Sequence, residues 1–340
     1  MTNSPDTRLH ALSEWLNQDL KLEVNDLCPA SSDASFRRYF RAQVGNDSFI
    51  VMDAPPTHED VIPFVNVSNL LRSAGVQAPK IHAQSVERGF LLLCDFGSRL
   101  YLDSLNVDTA DSLYDDAMQS LIRMKRGVDV QSCGLPNYDE ARLRSEMDLF
   151  GEWFLGGLLD REINFKIRPV IEKSWRVLVK SALDQPKVCV HRDYHSRNLM
   201  ITDTDNPGVL DFQDAVIGPI TYDLVSLLRD CYITWPKERV EGWVRKYHAR
   251  LIDEGLVDGF DADQFLRWFD LMGLQRHIKV LGIFSRLYLR DGKASYLKDI
   301  PRTLNYVVGS CQRHPEMADF LAFLQDGIVQ QTYFKLGQPS

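Results

Sequence analysis

The stretch VHRDYHSRNLMI, at residues 190–201, sets acidic and amide side chains between two runs of apolar residues. Asp193 and Asn198 are five residues apart, and Asp211 follows at the end of the next apolar run, GVLDF. Phosphoryl transfer requires such groups, because one carboxylate must orient the attacking hydroxyl while other oxygen ligands hold Mg²⁺ on the phosphates. The three residues therefore predict a phosphoryl-transfer loop, in which Asp211 meets Asn198 across a hairpin.

A purely structural role is the alternative for the same residues. His191, Arg192 and Asp193 could form a salt-bridged turn that Asn198 caps, with Asp211 starting another turn. The order of the residues, the apolar runs on both sides and the spacing of the H-R-D-x-x-x-x-N kinase loop favour catalysis. A metal hydrolase would need more histidine ligands than this cluster offers.

Composition excludes several other classes of function. The 340 residues include 47 acidic and 39 basic side chains, and the net charge of −8 gives no general attraction to nucleic acid or anionic membranes. Six scattered cysteines without a CxxC pair predict reduced thiols. The amino-terminal residues lack the order of a signal peptide, and no apolar run reaches the ~18 residues that span a bilayer. We expect a cytoplasmic protein with no nucleic-acid, membrane or obligate protein partner.

The elements around the loop predict two lobes. Before residue 98, an amphipathic helix with Leu9, Leu12, Leu16 and Leu20 precedes the β-like runs SFRRYFRAQV, SFIVM and GFLLLCDF, and another helix starts near a capping box of Thr57 and Asp60. After residue 98 the pattern is helical in blocks near 109–126, 139–160, 168–183, 220–234, 237–254 and 262–290, interrupted by KVCV, NLMI and VLDF. This outline indicates an α+β, two-lobed protein-kinase-like fold. Its small β-rich nucleotide-binding lobe would be residues 1–95, and its large, mainly helical lobe for catalysis and substrate residues 96–340.

From the catalytic loop to TYDLVSLL, the sequence resembles the aminoglycoside phosphotransferase and choline kinase superfamily. The resemblance implies that Asp193 is the catalytic aspartate, that Asn198 and Asp211 bind Mg²⁺, and that ATP is the co-substrate. His195 matches a histidine that braces the loop, and we also count it as a candidate substrate contact. Structural support for the loop is assigned to His191 and Asp223.

The segment CDFG, at residues 94–97, contains the letters of a kinase metal-binding motif but lies about a hundred residues before the catalytic loop. It fits the hinge instead. There the backbone of Cys94, Asp95 and Phe96 would bind the adenine edge, and the Asp95 side chain would be structural.

Kinases of this outline carry a strand lysine that contacts the phosphates and pairs with a helix glutamate. Here Met52 and Asn66 stand at those positions, and the nucleotide loop ASSDASFRRYFRA is not glycine-rich. Either the protein is a non-catalytic nucleotide-binding pseudokinase, or another cation replaces the lysine. Arg37 and Arg38 are in reach of the phosphates, but neighbours on a strand point to opposite faces, so we expect one of them to bind nucleotide. The complete set of Asp193, Asn198 and Asp211 favours an active enzyme.

Much of the chain resembles a narrower group, the bacterial anomeric kinases of N-acetylmuramate and N-acetylglucosamine, in ASFRRYFR, VMDAPP, LLLCDFGSRLYLDSL, GLPNYDEARLRSEMDLFGEWFL and GLQRHIKVLGIFSRLYLRDGKASYLKDIPR. The resemblance implies phosphorylation of the sugar C1 hydroxyl in peptidoglycan recycling. Candidate sugar contacts are Glu146, Trp153, Arg276 and His277, and a spacing of seven puts Glu146 and Trp153 on one helix face. The alternative acceptors are an aminoglycoside, choline or homoserine.

Overall fold

An antiparallel sheet organises the first part of the chain. The protein is described here by a computed structural model, which covers residues 6–32 and 36–338 in describable detail. Within these residues five strands pair in the order β1-β2-β3-β5-β4. The elements of this lobe are α1 (Thr7–Glu14), β1 (Val24–Ser32), β2 (Arg38–Val44), β3 (Asp47–Asp53), α2 (Ile62–Ser73), β4 (Ile81–Ser85) and β5 (Phe90–Cys94). The expected nucleotide loop falls partly on residues 33–35, which lie outside the described residues.

The two faces of the sheet belong to different hydrophobic clusters because alternate side chains of a strand point to opposite sides. Val51 of β3 packs with Leu12 and Leu16 on the outer face, where α1 continues into a π-helical turn at Trp15–Asp19. Met52 is also fully buried, but it belongs to the cluster that includes Phe64 of α2 and continues into the second lobe. The position expected to hold a strand lysine is therefore part of the hydrophobic core.

Helices make up most of the rest of the chain. They surround two short strand pairs, because β6 pairs with β9 and β7 pairs with β8 among the described residues. The elements are α3 (Tyr101–Ser104), α4 (Ala110–Gly127), α5 (Glu140–Leu149), α6 (Arg168–Leu183), β6 (Lys187–Val190), β7 (Leu199–Met200), β8 (Gly208–Val209), β9 (Val216–Pro219), α7 (Tyr222–Leu228), α8 (Lys237–Asp253), α9 (Ala262–Leu289), α10 (Ile300–Arg313), α11 (Ala318–Phe323) and α12 (Val329–Leu336).

The long helix α9 forms the centre of the helical lobe. The Asp261 side chain begins it by accepting hydrogen bonds from the N–H groups of Asp263 and Gln264, at 3.1 and 2.8 Å. The helix is buried along much of its length, and this burial includes the charged residues Arg276 and Lys279. Buried charges require partners, so these positions mark a polar centre inside an otherwise apolar lobe.

Contacts between the lobes lie close to β7 and β8. The N–H of Val209 donates to the Gln77 carbonyl at 2.8 Å. The rings of Phe64 and Phe212 pack with their centroids 4.7 Å apart. The residues that follow the catalytic loop are thus fixed to the strand-rich lobe as well as to the helical one.

The α+β fold class, with a small strand-rich lobe before a large helical one, is confirmed. A lobe boundary after residue 95 stays a prediction, and β5 ends just before it at Cys94. All six cysteines carry free thiols. In the part of the chain that the structure describes, no helix is long and apolar enough to cross a membrane.

One local prediction was wrong, and a second is refined by the structure. Helix α2 begins at Ile62, and Thr57 does not form the predicted capping box with Asp60. Of the two residues only Asp60 contacts the start of the helix, where it accepts a hydrogen bond from the Ile62 N–H at 2.9 Å. The predicted helix over 139–160 changes character at Phe150, where a π-helical segment, Phe150–Leu158, begins. The wider turn of a π-helix rotates later side chains about the axis, so a spacing of seven residues across this junction differs in phase from that of an uninterrupted α-helix.

Candidate active site

The start of the loop after β6 is held from beneath by Asp223, in the first turn of α7. Its carboxylate accepts hydrogen bonds from the backbone N–H groups of His191, at 2.8 Å, and Arg192, at 3.0 Å. The His191 ring continues the support, because Nδ1 accepts from the Asp193 N–H at 3.2 Å and Nε2 lies 3.0 Å from the Leu210 carbonyl. These contacts require a neutral imidazole with its proton on Nε2.

A second buried carboxylate fixes the far end of the loop. Asp230, which follows α7, accepts hydrogen bonds from the N–H and the hydroxyl of Ser196, the former at 3.0 Å. Its other oxygen accepts from the N–H of Tyr232 at 3.0 Å. Because both ends of the loop are bonded to α7 and its C-terminal extension, the loop conformation is determined by the helical lobe.

Asn198 and Asp211 meet across the β7–β8 hairpin, as the sequence predicts. The Asn198 Nδ2 donates to the Asp193 carbonyl at 3.0 Å and to Oδ2 of Asp211 at 3.2 Å. The other Asp211 oxygen accepts from Gln213 at 2.8 Å and lies 3.8 Å from the Arg37 guanidinium. The hairpin therefore joins the loop, an acid and a cation of the strand-rich lobe.

The residue types at this hairpin fit Mg²⁺. The Nδ2 of Asn198 donates hydrogen bonds to two acceptors, and none of the described residues donates a hydrogen bond to its Oδ1. An amide oxygen next to a carboxylate is a suitable pair of hard ligands, since Mg²⁺ in such sites takes one or two protein groups and completes its shell with phosphates and water.

Asp193 is surrounded by cations. Burial alone would raise the pKa of its carboxyl, but the charges of Lys279, Arg276 and Arg192 outweigh burial and hold the pKa below its ordinary value. Burial lowers the pKa of His195, and the nearby acids Asp230 and Asp193 offset this only in part. Asp193 is thus ionised at neutral pH, in the form that can accept a proton.

Glu146 of α5 carries the counter-charge for these cations. It accepts hydrogen bonds from Arg192 and from the Tyr138 hydroxyl, and the Lys279 ammonium lies 3.2 Å from its Oε1. Lys279 also donates to the Tyr222 hydroxyl at 3.1 Å. Burial would raise the pKa of Glu146, but Lys279 and Arg192 lower it overall. We call Glu146, Arg192 and Lys279 the buried ion network.

Two residues of the site have strained backbones. Arg192 has a φ of 79° and Asp211 a φ of 62°, both in the left-handed region that residues other than glycine seldom adopt. Such strain persists only when the surroundings hold it in place, and it concentrates at functional sites. Here the hydrogen bond that the Arg192 N–H donates to Asp223 and the ion pair with Glu146 hold Arg192 in this conformation.

The predicted nucleotide contacts differ in their partners, because one of them lies near the candidate metal site and others form structural ion pairs. Arg37 points toward Asp211, whereas Arg38 is turned away and pairs with Asp53 and Asp6, so it anchors α1 to the sheet. Asp95 is bonded to Arg41 at 2.6 Å, which gives it a structural role. The expectation of a phosphate contact thus falls on Arg37, because opposite faces of the hairpin hold the two arginines.

The predicted hinge runs close to the β7–β8 hairpin. The N–H of Cys94 is already paired with the Lys80 carbonyl at 2.9 Å, so this N–H does not serve adenine. The Phe96 ring lies against the backbone of Gly208, where an added Cβ would come within 2.6 Å of the ring. Glycine at position 208 is therefore needed for this close approach.

Three of the predicted sugar contacts, Trp153, Arg276 and His277, lie in partly or fully buried positions. Trp153 is partly buried on the π-helical segment, and none of the described residues forms a hydrogen bond or ring contact with its indole. His277 is fully buried, lies 2.9 Å from the Arg229 carbonyl and stacks on Tyr306, so it packs the lobe instead. The charge of Arg276 helps to lower the pKa of Asp193. Its side chain is only 3% exposed, however, and its guanidinium donates to the Cys231 sulfur at 3.7 Å.

Lys279 and Tyr138 are functional candidates that the sequence reasoning missed. Lys279 had a detectable signal, because it is a lone charge in the apolar run IKVLGIF of a helix expected to be buried. Tyr138 lies before α5 in a loop and had no comparable signal. Its hydroxyl gains its role only from contact with Glu146 on α5 and Gln275 on the distant helix α9.

Comparison with known proteins adds the family. Residues 26–264 match the phosphotransferase enzyme family. A Pseudomonas putida protein named N-acetylmuramate/N-acetylglucosamine kinase is 46% identical over 339 residues, covering 95% of this chain and 98% of the relative. A Pseudomonas aeruginosa protein of the same name is 46% identical over 337 residues, covering 95% and 99%.

Solved structures agree at the level of the fold. A Plasmodium vivax ethanolamine kinase superposes with a TM-score of 0.64 at 14% sequence identity, covering 92% of this chain and 89% of the other. Together with the family match over most of the chain and the relatives of nearly equal length, this settles the assignment. The chain belongs to the phosphotransferase enzyme family.

Proposed function

We propose that the protein transfers the γ-phosphate of ATP to the C1 hydroxyl of N-acetylmuramate and N-acetylglucosamine, in the recycling of peptidoglycan sugars. Family membership implies ATP as the co-substrate, and the names of the two Pseudomonas relatives supply the sugars. The observation that carries the proposal is the state of Asp193, a partly buried carboxylate whose pKa is lowered by neighbouring cations.

An ionised carboxylate suits this acceptor. The anomeric hydroxyl belongs to a hemiacetal and is more acidic than an ordinary alcohol, so Asp193 can orient it and accept its proton late in the transfer. His195 supports contact with the same substrate, since its Nδ1 is buried and no described residue bonds to it. The low pKa of His195 favours a neutral ring, which can donate or accept a hydrogen bond to a sugar hydroxyl.

Asn198 and Asp211 would hold Mg²⁺, which when bound would neutralise charge on the phosphates. Arg37 is the proposed substitute for the strand lysine. Its guanidinium faces Asp211 at 3.8 Å, so it lies where phosphates held by such a site would be, and arginine binds phosphate oxygens in a bidentate manner. This substitution explains how a chain with Met52 in the lysine position can remain an active enzyme.

One experiment tests the proposal directly. The protein is incubated with Mg-ATP and, separately, N-acetylmuramate, N-acetylglucosamine, glucose, choline, homoserine or kanamycin, and the products are analysed by mass spectrometry and ³¹P NMR. We expect phosphate on the two amino sugars, at the reducing end and labile in mild acid. Turnover of choline, homoserine or kanamycin without the amino sugars would contradict the proposal. Nucleotide binding without transfer to any acceptor would identify a pseudokinase.

A further inference from the structure

Arg197 lies on the catalytic loop between His195 and Asn198, and its side chain is exposed. Its guanidinium is held over two tyrosine rings, 4.7 Å from the centroid of Tyr232 and 5.9 Å from that of Tyr296. Contact with two ring faces and a side-chain hydrogen bond with Tyr232 restrict a side chain that would otherwise be mobile, and most of the five N–H donors of the guanidinium stay available. Arg197 is therefore a positioned cation four residues after the catalytic Asp193.

The described residues place no carboxylate within ion-pair distance of Arg197. The acid whose charge acts on it is Asp299, but the Asp299 carboxylate is bonded to Arg302 at 3.2 Å. Most other arginines near the site have an acid partner, such as Glu146 for Arg192. A fixed cation without a protein counter-ion, at the edge of an active site, has the chemistry needed to bind an anionic group of a substrate.

The same tyrosines connect Arg197 to the reacting centre. Tyr232 makes an edge contact with the His195 ring, whose centroid lies 5.4 Å away. The Phe284 ring lies 6.2 Å from Tyr232 and 5.1 Å from Tyr296, so the three rings form one aromatic wall. Sugar sites combine such apolar surfaces with a few hydrogen-bonding groups. A sugar that reaches Asp193 with its C1 hydroxyl would have this wall and Arg197 beside it.

We propose that Arg197 binds the lactyl carboxylate of N-acetylmuramate, with Tyr232 and Tyr296 as the platform that positions the guanidinium. The inference rests on the proposed function and assigns the residue that distinguishes the acidic sugar from the neutral one. Arg276, the arginine among the candidate sugar contacts, is 3% exposed and already contacts the Cys231 sulfur. Arg197 is the exposed cation on the loop itself.

The test compares three sugars: N-acetylmuramate, its methyl ester, which lacks the charge, and N-acetylglucosamine, which lacks the lactyl group. kcat/KM is measured for the wild type, Arg197→Gln and Arg197→Lys. Loss of a charge-assisted hydrogen-bond pair predicts that esterification lowers wild-type kcat/KM by about 30-fold. In Arg197→Gln the acid and the ester should differ by less than about threefold, and Arg197→Lys should lie between.

Arg245→Gln is the control for removal of a surface charge, because Arg245 lies on α8 and pairs with Asp263. It should retain the wild-type difference between acid and ester. An Arg197→Gln enzyme that still discriminates acid from ester as the wild type does would overturn the inference, as would a wild type indifferent to esterification. If the wild type phosphorylates neither amino sugar, the proposed function itself fails, so the two failures are distinguishable.

Discussion

The Lys279 ammonium lies 3.2 Å from the Glu146 carboxylate and joins α9 to α5 beside the catalytic loop. Both groups are buried. Lys279 lowers the pKa of Asp193, and Glu146 accepts a hydrogen bond from Arg192, the residue next to Asp193. The pair therefore connects the electrostatics of the reacting carboxylate to the packing of the helical lobe. Because a buried charge without its partner is costly, changes in this network should affect stability and pH dependence as well as turnover.

Replacement of Asp193 by asparagine should abolish most of the activity. An amide of the same shape cannot accept the proton of the acceptor hydroxyl, so we expect kcat to fall by about 10³-fold. Nucleotide affinity, measured by calorimetry, should change little, because the proposed metal and phosphate contacts involve other residues. An Asp193→Asn enzyme with wild-type turnover would show that another group is the base.

Replacement of Asp211 by asparagine should change the metal requirement. Loss of the carboxylate removes a proposed Mg²⁺ ligand and the partner of Asn198, so the Mg²⁺ concentration for half-maximal activity should rise at least about tenfold. Asp214→Asn is the matched control, because Asp214 is an exposed acid three residues later. Equal Mg²⁺ dependence of the two variants would argue against the metal role.

Replacement of Lys279 by methionine should move the acidic limb of the pH profile of kcat/KM. In the wild type the pKa of Asp193 lies below its ordinary value, so the base form persists into acidic solution. Removal of the Lys279 charge leaves burial less opposed, which raises the pKa of Asp193 and shifts the limb to higher pH. A limb that stays in place would mean that Lys279 does not control this carboxylate.

Replacement of Glu146 by glutamine should destabilise the fold. Arg192 and Lys279 would remain buried without their shared anion, and breaking a buried pair of this kind costs about 3 kcal/mol or more. Glu140→Gln, on the same helix, removes only an exposed pair with Arg144 and should cost about 0.5 kcal/mol or less. Urea unfolding measures both, and similar losses would contradict the role of the network.

Replacement of His277 by phenylalanine should make the free energy of unfolding less dependent on pH in acidic solution. Burial, with a contribution from Arg276, lowers the pKa of His277 to about 3, against 6.5 for an ordinary histidine. Between these values the unfolded chain binds a proton that the native state excludes. Stability should therefore fall as the pH decreases from 6.5 toward 3, by at most about 1.4 kcal/mol per pH unit for this group.

The variant should lose this component even if it is less stable at neutral pH, because it lacks the hydrogen bond to the Arg229 carbonyl. His10→Gln, at an exposed position on α1, serves as the comparison. Denaturant unfolding at several pH values distinguishes the two. An unchanged slope in His277→Phe would show that other groups account for acid sensitivity.

Features close together along the chain were determined by the sequence itself. Asn198 and Asp211 are joined by one short hairpin, so their spacing and the apolar runs beside them predict the contact that is observed. Helix α6 occupies residues 168–183, as its amphipathic period predicts, with Pro169 in the first turn, where its missing N–H has no consequence. The catalytic loop could be recognised for the same reason, because Asp193, Asn198 and Asp211 are close along the chain, whereas the hydrogen bonds that fix the loop are accepted by Asp223 and Asp230 of the helical lobe.

Only the tertiary structure decided which distant groups share the site. Lys279 and Glu146 come from helices whose periodicity predicts burial but not the partner of a buried charge. The choice of Arg37 over Arg38 as the proposed phosphate contact depended on where Asp53 and Asp211 lie. The position of Trp153 depended on a local change to π-helical hydrogen bonding. Patterns along a sequence record which side of an element is buried, whereas charge pairing and helix phase depend on elements that meet only after folding.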